Sequence, residues 1–146
     1  MTDTRPEATP LFLTYNICIN GSRSFNDYDF FKQEIEKLIE DPKAYILDPV
    51  LRVPKQIRLI LGGAQGADTL AERWAKEVGA LYQVFPANWK KYGKSAGFKR
   101  NIQMIDVSHE LISFWDGESR GTKHTIDYAK SKSVPVTIVN VPRETI

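Results

Sequence analysis

The sequence predicts an α/β domain in three layers, a mostly parallel sheet with helices on both faces. Two observations lead there. Short apolar runs rich in Ile, Val, Leu and aromatics alternate along the chain with segments of helical periodicity. None of those runs alternates cleanly between apolar and polar residues, so both faces of each strand are expected to be buried, as in parallel sheets.

In chain order, the first strand is expected over Leu11 to Ile19. A helix follows over Asp27 to Glu40, where Phe31, Ile35, Leu38 and Ile39 share one face. Asp41 to Lys55 holds three prolines and reads as an irregular loop. The second strand is Ile57 to Leu61. A helix over Ala67 to Val78 carries the stripe Leu70, Trp74 and Val78, and the flanking Ala67, Ala71 and Ala75 let it lie close to a sheet. The third strand is Leu81 to Phe85. In the helix over Ala96 to Val107, Phe98, Ile102 and Ile105 repeat the spacing. The fourth strand is Leu111 to Trp115. A helix over Thr122 to Lys132 uses Thr122, Ile126 and Ala129, and Val134 to Val139 is the fifth strand. The sheet thus has five strands. There is no repeat and no sign of a second domain, so residues 11–146 are read as a single domain. Residues 1–10, polar with two prolines, are read as a flexible tail.

The 146 residues are enough for one domain with its own core. A net charge of +2 does not by itself imply nucleic acid, but it is compatible with a small anionic ligand. The lone cysteine, Cys18, lies in an apolar run and reads as a small buried hydrophobe. It permits no disulfide within the chain, which is consistent with a reducing compartment. The start lacks the basic and apolar regions of a signal peptide, and no apolar run reaches membrane-spanning length. A cytoplasmic protein with no membrane partner is expected, from a cellular or a viral genome.

In a parallel sheet, ligands bind beyond the carboxyl ends of the strands, so the loops there carry the functional reading. The first offers Gly21, Ser22 and Arg23. The second offers Gly62, Gly63, Ala64, Gly66, Ala67 and Asp68. The third includes Asn88 and Trp89. The fourth offers Asp116, Gly117, Ser119, Gly121 and Thr122. The first, second and fourth are short, bear glycine and open a helix. A helix start supplies free N–H groups and partial positive charge, glycine lets an anion approach, and an arginine such as Arg23 grips phosphate in a bidentate pair. Together they point to a phosphorylated ligand, although glycines also serve tight turns. Asp68, in the first turn of its helix, either complements the dipole or caps it, or else accepts hydrogen bonds from ribose hydroxyls or fixes the glycine loop. Asp116 carries the same alternatives. Lys90, Lys91, Lys94, Lys99 and Arg100, interleaved with Trp89, Tyr92 and Phe98, form a cationic lid, a patch for single-stranded nucleic acid or a solvated face. Asn101 follows Arg100 and can share its pocket. His109 and His124 are isolated, so no metal or other cofactor is expected.

These residues, in this order, resemble the YspA-like (YpsA-related) branch of the SLOG superfamily, which includes DprA and the LOG enzymes. The carriers are Gly21 to Arg23, then Gly62 to Asp68 with Ala71 and Trp74. Next come Pro86 to Trp89 with Tyr92 to Lys94, Ala96, Gly97, Arg100 and Asn101, and finally Phe114 to Gly117 with Ser119, Gly121 and Thr122. The resemblance implies a Rossmann-like sheet in strand order 3-2-1-4-5, with the first and fourth loops together at the switch point. It implies a nucleotide or nucleotide-derived ligand, sensed or sequestered, and a setting in stress or phage–host conflict. LOG enzymes carry a catalytic glutamate at the end of Gly-Gly-x-Gly-Thr-x-x-Glu, and the corresponding position here is Thr125. Thr125 cannot act as an acid or base near neutral pH. Cleavage of an N-glycosidic bond would therefore fall to Asp68 or Asp116. Single-stranded nucleic acid binding ranks behind both readings. The apolar face of Ala96 to Val107 could serve a homo-oligomer.

Overall fold

The computed structural model describes residues 9–142, so the expected tail falls mostly outside the described residues. After a 3-10 turn over Leu11–Leu13, β1 spans Thr14–Gly21, α1 Tyr28–Leu38, β2 Tyr45–Leu47 and β3 Pro54–Leu61. Then come α2 over Ala67–Val78, β4 over Leu81–Val84, the short α3 over Trp89–Tyr92 and α4 over Ala96–Asp106. β5 spans Glu110–Trp115, α5 Arg120–Ser131 and β6 Val136–Asn140.

The parallel strands run in the order β4-β3-β1-β5-β6, which is the expected 3-2-1-4-5. The sheet has a sixth strand beyond the expected five. β2 lies within the expected loop and pairs antiparallel with the start of β3, Leu47 opposite Pro54. Pro54 is tolerated because it is the first residue of its strand. β2 and β4 share one edge of β3, end to end.

Two apolar clusters sandwich the sheet. Phe31 and Ile35 of α1 and Leu70, Ala71 and Trp74 of α2 pack with Ile17, Ile19, Leu59 and Phe114 on one face. Met104 and Ile105 of α4 and Ile126 and Ala129 of α5 pack with Cys18, Ile60 and Leu111 on the other. The chain therefore leaves β1 toward one face and β5 toward the other. Their loops diverge at a topological switch point. Burial on both faces holds for β1, β3 and β5. It fails for the edge strands β4, whose residues are all only partly buried, and β6, whose Ile138 is exposed.

α2 keeps its expected bounds. Its Ala71, Trp74 and Ala75 are fully buried, and the Trp74 indole donates to Glu36 at 3.0 Å. In α4 the expected stripe is shifted. Phe98 is exposed and packs tilted against His124, ring centroids 4.5 Å apart, while Ala96, Met104 and Ile105 are buried. The first strand begins at Thr14 because Leu11–Leu13 winds into the 3-10 turn. No helix among the described residues is long and apolar enough to cross a membrane.

Candidate functional site

A cleft of about 660 Å³ opens at the carboxyl ends of the parallel strands. Its walls come from all four loops and from the start of α4.

β1 delivers Asn20 and Gly21. A side chain at Gly21 would collide with the Phe114 carbonyl and lie 2.7 Å from the Ala67 Cβ, so glycine lets β1 close against β5 and α2 together. Ser22 continues that join. Its N–H donates to the Phe114 carbonyl at 2.9 Å, and its hydroxyl accepts from the Asp116 N–H at 3.0 Å. Ser22 is buried and fastens the first loop to the fourth rather than lining the cleft. Arg23 is exposed and lines it.

The loop between β3 and α2 places Gly62, Gly63, Ala64, Gln65 and Asp68 in the wall. Gly66 caps α2 at φ 83°, and a Cβ there would strike the Ser22 carbonyl. Gly66 and the buried Ala67 thus hold the first and second loops in contact and lie outside the cleft lining. Asp68 is 7% exposed. One of its oxygens accepts from the Ala64 N–H at 3.2 Å, and the other, Oδ1, is buried without a hydrogen-bond partner. Burial pushes its pKa up to about 6, against the pull of the Ala64 N–H, the Arg100 charge and the nearby Gly62 N–H.

Val84 at the end of β4 and Pro86 and Ala87 beyond it form a side wall, with Trp89 exposed at the rim. Asn88 does not line the cleft. Its side chain caps α3 by accepting from the Lys91 N–H at 3.0 Å. Tyr92 also stands apart, with Lys91 and Lys99 over its ring at 5.1 and 4.9 Å. From α4, Arg100 donates to the Gly62 carbonyl and, through Nε, to Asn101 Oδ1 at 2.8 Å. Both residues line the cleft, with Lys94, Gly97 and Phe98.

At the fourth loop, Ser119, Gly121 and Thr122 line the cleft, and the two hydroxyls lie 3.0 Å apart. Asp116 and Gly117 do not. The Asp116 carboxylate accepts from the Glu118 and Ser119 N–H groups, both at 2.9 Å, and shapes the turn. Burial pushes its pKa upward, but the Ser119 and Glu118 N–H groups and the Ser22 hydroxyl outweigh that and hold it below the usual range. A group kept ionised this way is a poor general acid. Thr125 is fully buried, and its hydroxyl donates to the Gly121 carbonyl at 3.1 Å.

Helix capping divides along the same line. α1 and α3 are capped by the Asp27 and Asn88 side chains, whereas α2, α4 and α5, which open at the cleft, have no side-chain cap. At α4 the Ala96 N–H is already taken by the Gly93 carbonyl of the preceding 3-10 turn over Gly93–Ser95, which leaves α2 and α5 as the uncapped starts. The charged lining residues are Arg23, Lys94, Arg100 and Asp68, three cations to one carboxylate. Among the described residues, no three of His, Cys, Asp and Glu are grouped to hold a metal ion. Asn20, Gln65, Val84, Pro86, Ala87, Lys94, Gly97 and Phe98 line the cleft outside the expected set. Asn20 and Gln65 sit inside loops already singled out and Gly97 is among the residues that carry the resemblance, but nothing local in the sequence marks Val84.

The model of the YAcAr family, described as "YspA, cpYpsA-related SLOG family", matches residues 15–92. The chain belongs to this SLOG family. The matched region carries the first two loops and the β4 wall, while Arg100 and the fourth loop lie beyond it. The chain is 35% identical over 97 residues to the Gene 61 protein of Mycobacterium phage D29, covering 62% of this chain and 78% of the relative. It is similar in fold to DNA processing protein A (DprA) from Streptococcus pneumoniae, with a TM-score of 0.65 at 16% identity over 93% of this chain. The SLOG chain spans 53% of that DprA chain.

Proposed function

We propose that the cleft binds a nucleotide or a nucleotide-derived signal, and that the protein senses or sequesters it. The observation that carries this reading is the convergence of Arg23, Lys94 and Arg100 on one concave surface with the starts of α2 and α5, whose N-cap residues make no side-chain cap. The phosphate sits at Arg23 and the start of α5, with Ser119, Gly121 and Thr122 as donors. The base lies toward Trp89 and Phe98, which offer aromatic faces. SLOG membership supports the assignment, and the phage relative is consistent with a role in conflict between phage and host.

The test is a thermal-shift scan with nucleotides, cyclic nucleotides, NAD, ADP-ribose and nucleotide sugars. A ligand selective for the folded state, at 100 times its Kd, adds about 2.7 kcal/mol of stability. A clear shift with one class supports the pocket. No shift at millimolar ligand rejects it and favours nucleic acid, in keeping with the name of the DNA processing protein that shares the fold.

A second reading rests on Asp68. A buried carboxyl with a pKa of about 6 and a free oxygen can protonate a leaving base, as N-glycosidic hydrolysis requires. Asp116, tied into its turn, is set aside for that role. Release of free base by the wild type, lost in Asp68→Asn, is the expected result. Base release that persists in Asp68→Asn excludes Asp68 as the acid.

A further inference from the structure

At the amino ends of the strands, away from the cleft, the chain exposes a continuous apolar run. From Pro49 to Pro54 every residue is exposed, and all but Arg52 are apolar. Val50 is 83% exposed and Leu51 63%. The run is the tip of the β2–β3 hairpin, and β2 adds the exposed Tyr45 and Leu47. These two alternate with Ile46, which packs on the core beside α1 and α2, so they face the other side of the sheet. The cluster that α4 and α5 form on that side includes no residue of β2. Phe12 and Leu13, both exposed, emerge at the same end. They precede Thr14, which lies opposite Gln56, itself opposite Tyr45.

The run has a fixed shape. The Asp48 carboxylate accepts from the Val50 and Leu51 N–H groups, and the buried Lys55 ammonium pairs with it at 2.9 Å. The Asp48 N–H donates to the Val53 carbonyl, also at 2.9 Å, and Arg52 sits at φ 61°. A buried ion pair and a non-glycine residue at positive φ are both costly, and here they hold an apolar run rigidly in water. Exposed runs of this kind are a liability unless something covers them. Residues 1–8, which lead into the patch along the chain, are too polar to match it, with Met1 as their one large apolar side chain. The face of α4, expected to serve a homo-oligomer, exposes Phe98 alone among its large hydrophobics, and Phe98 lines the cleft.

We infer that the hairpin patch is the face on which two copies of this chain pair about a twofold axis. Arg52 is the single exposed charge between Tyr45 and Pro54, because Asp48 is buried against Lys55. A charged partner would find almost nothing to pair with, whereas an uncharged apolar surface meets its own copy without like-charge repulsion. The exposed hydrophobic side chains of the hairpin, with Phe12 and Leu13, present on the order of 700 Å² per copy, close to the ~800 Å² per partner of a standard interface. β2 also ends the sheet, with its outer edge unpaired among the described residues, so two sheets can abut there. The clefts lie at the far ends of such a pair and stay open, whatever ligand they take.

The experiment is sedimentation equilibrium of the whole protein, from micromolar to hundreds of micromolar, without nucleotide. The expected result is a monomer–dimer equilibrium with the dimer dominant at the upper end, and a melting temperature that rises with protein concentration. Val50→Lys with Leu51→Lys sets cations against cations across the twofold axis without opposing the Asp48 carboxylate. It is expected to weaken dimerisation by about a hundredfold or more and to leave a monomer whose cooperative melt is independent of concentration. Should that variant not melt cooperatively, Leu51→Ser alone is scored in the same way, with a loss of about tenfold expected. A wild type that stays monomeric over the whole range overturns the inference, even if the patch then binds phosphatidylcholine vesicles. A dimer of unchanged affinity in a folded variant also overturns it, because the copies then meet on another face.

Discussion

At Asp68, burial raises the pKa from 3.8 to about 6. A carboxyl whose folded pKa lies above its unfolded value favours folding below pH 3.8, and that advantage is lost as pH rises through 6. The full cost above pH 6 is on the order of 3 kcal/mol at 1.36 kcal/mol per pKa unit. Asp68→Asn is therefore expected to melt above the wild type at pH 8, with the difference closing toward pH 4, as followed by circular dichroism. A drop in melting temperature of equal size at both pH values would contradict an ionised, desolvated Asp68. The glycines provide a second contrast. Gly66→Ala faces both a positive φ and the Ser22 carbonyl, and is expected to cost well over 1 kcal/mol. At Gly121 a Cβ meets open space and φ is ordinary, so Gly121→Ala is expected to melt at or slightly above the wild type. Because that Cβ enters the cleft, nucleotide affinity is expected to fall. Melting and titration of the two variants separate a glycine kept for packing from one kept for a ligand.

Among the strands, β2 is the one that the sequence conceals. It has three residues, and prolines lie on both sides, so local propensity argues against a strand. What holds it is Asp48, just past its end. One carboxylate oxygen accepts from the Val50 and Leu51 N–H groups at 2.9 and 2.8 Å. The other lies 2.9 Å from Lys55 Nζ and 3.5 Å from His109 Nε2. The Leu51 N–H and the Lys55 ammonium hold the Asp48 pKa well below the ordinary carboxylate range. His109 in turn accepts from the Asn16 N–H at 2.9 Å and stacks on Tyr15 at 4.6 Å. Asp48→Ala would strand the buried Lys55 charge and free the turn. A clear fall in melting temperature is expected, with faster hydrogen exchange in β2 and at the start of β3. Because this anchor lies at the amino ends of the strands, nucleotide affinity at the opposite edge should be preserved below the melting transition. Loss of ligand binding in a folded Asp48→Ala would show that the two ends of the sheet are coupled. α2 is the opposite case. Its bounds are legible because Gly66 and Gly79 flank a clean apolar stripe.

For the molecule as a whole, the cationic segment from Lys90 to Arg100 divides. Lys94 and Arg100 line the cleft, whereas Lys90, Lys91 and Lys99 lie outside its lining. Small-ligand affinity is therefore expected to survive Lys90→Glu and Lys91→Glu, measured by titration. Any oligonucleotide binding that depends on them should weaken and show a smaller salt slope. A nucleotide affinity that collapses in those variants would relocate the site to this outer face. The sequence by itself determined the alternation of strands and helices, the α/β class and the loops that come to line the cleft. Those features rest on local periodicity and on the backbone demands of glycine. The strand order came from the likeness to a family. Only the tertiary structure decided which loop residues face the cleft. Ser22 and Asp116 join loops 94 positions apart, and Arg100 reaches a carbonyl 38 residues away. Phe98 turns outward although its spacing reads as core. The unpartnered oxygens of Asp68 and Asn20 likewise depend on what packs around them. Burial and unmet hydrogen bonds are properties of segments brought together, and they have no periodicity along the chain from which they could be read.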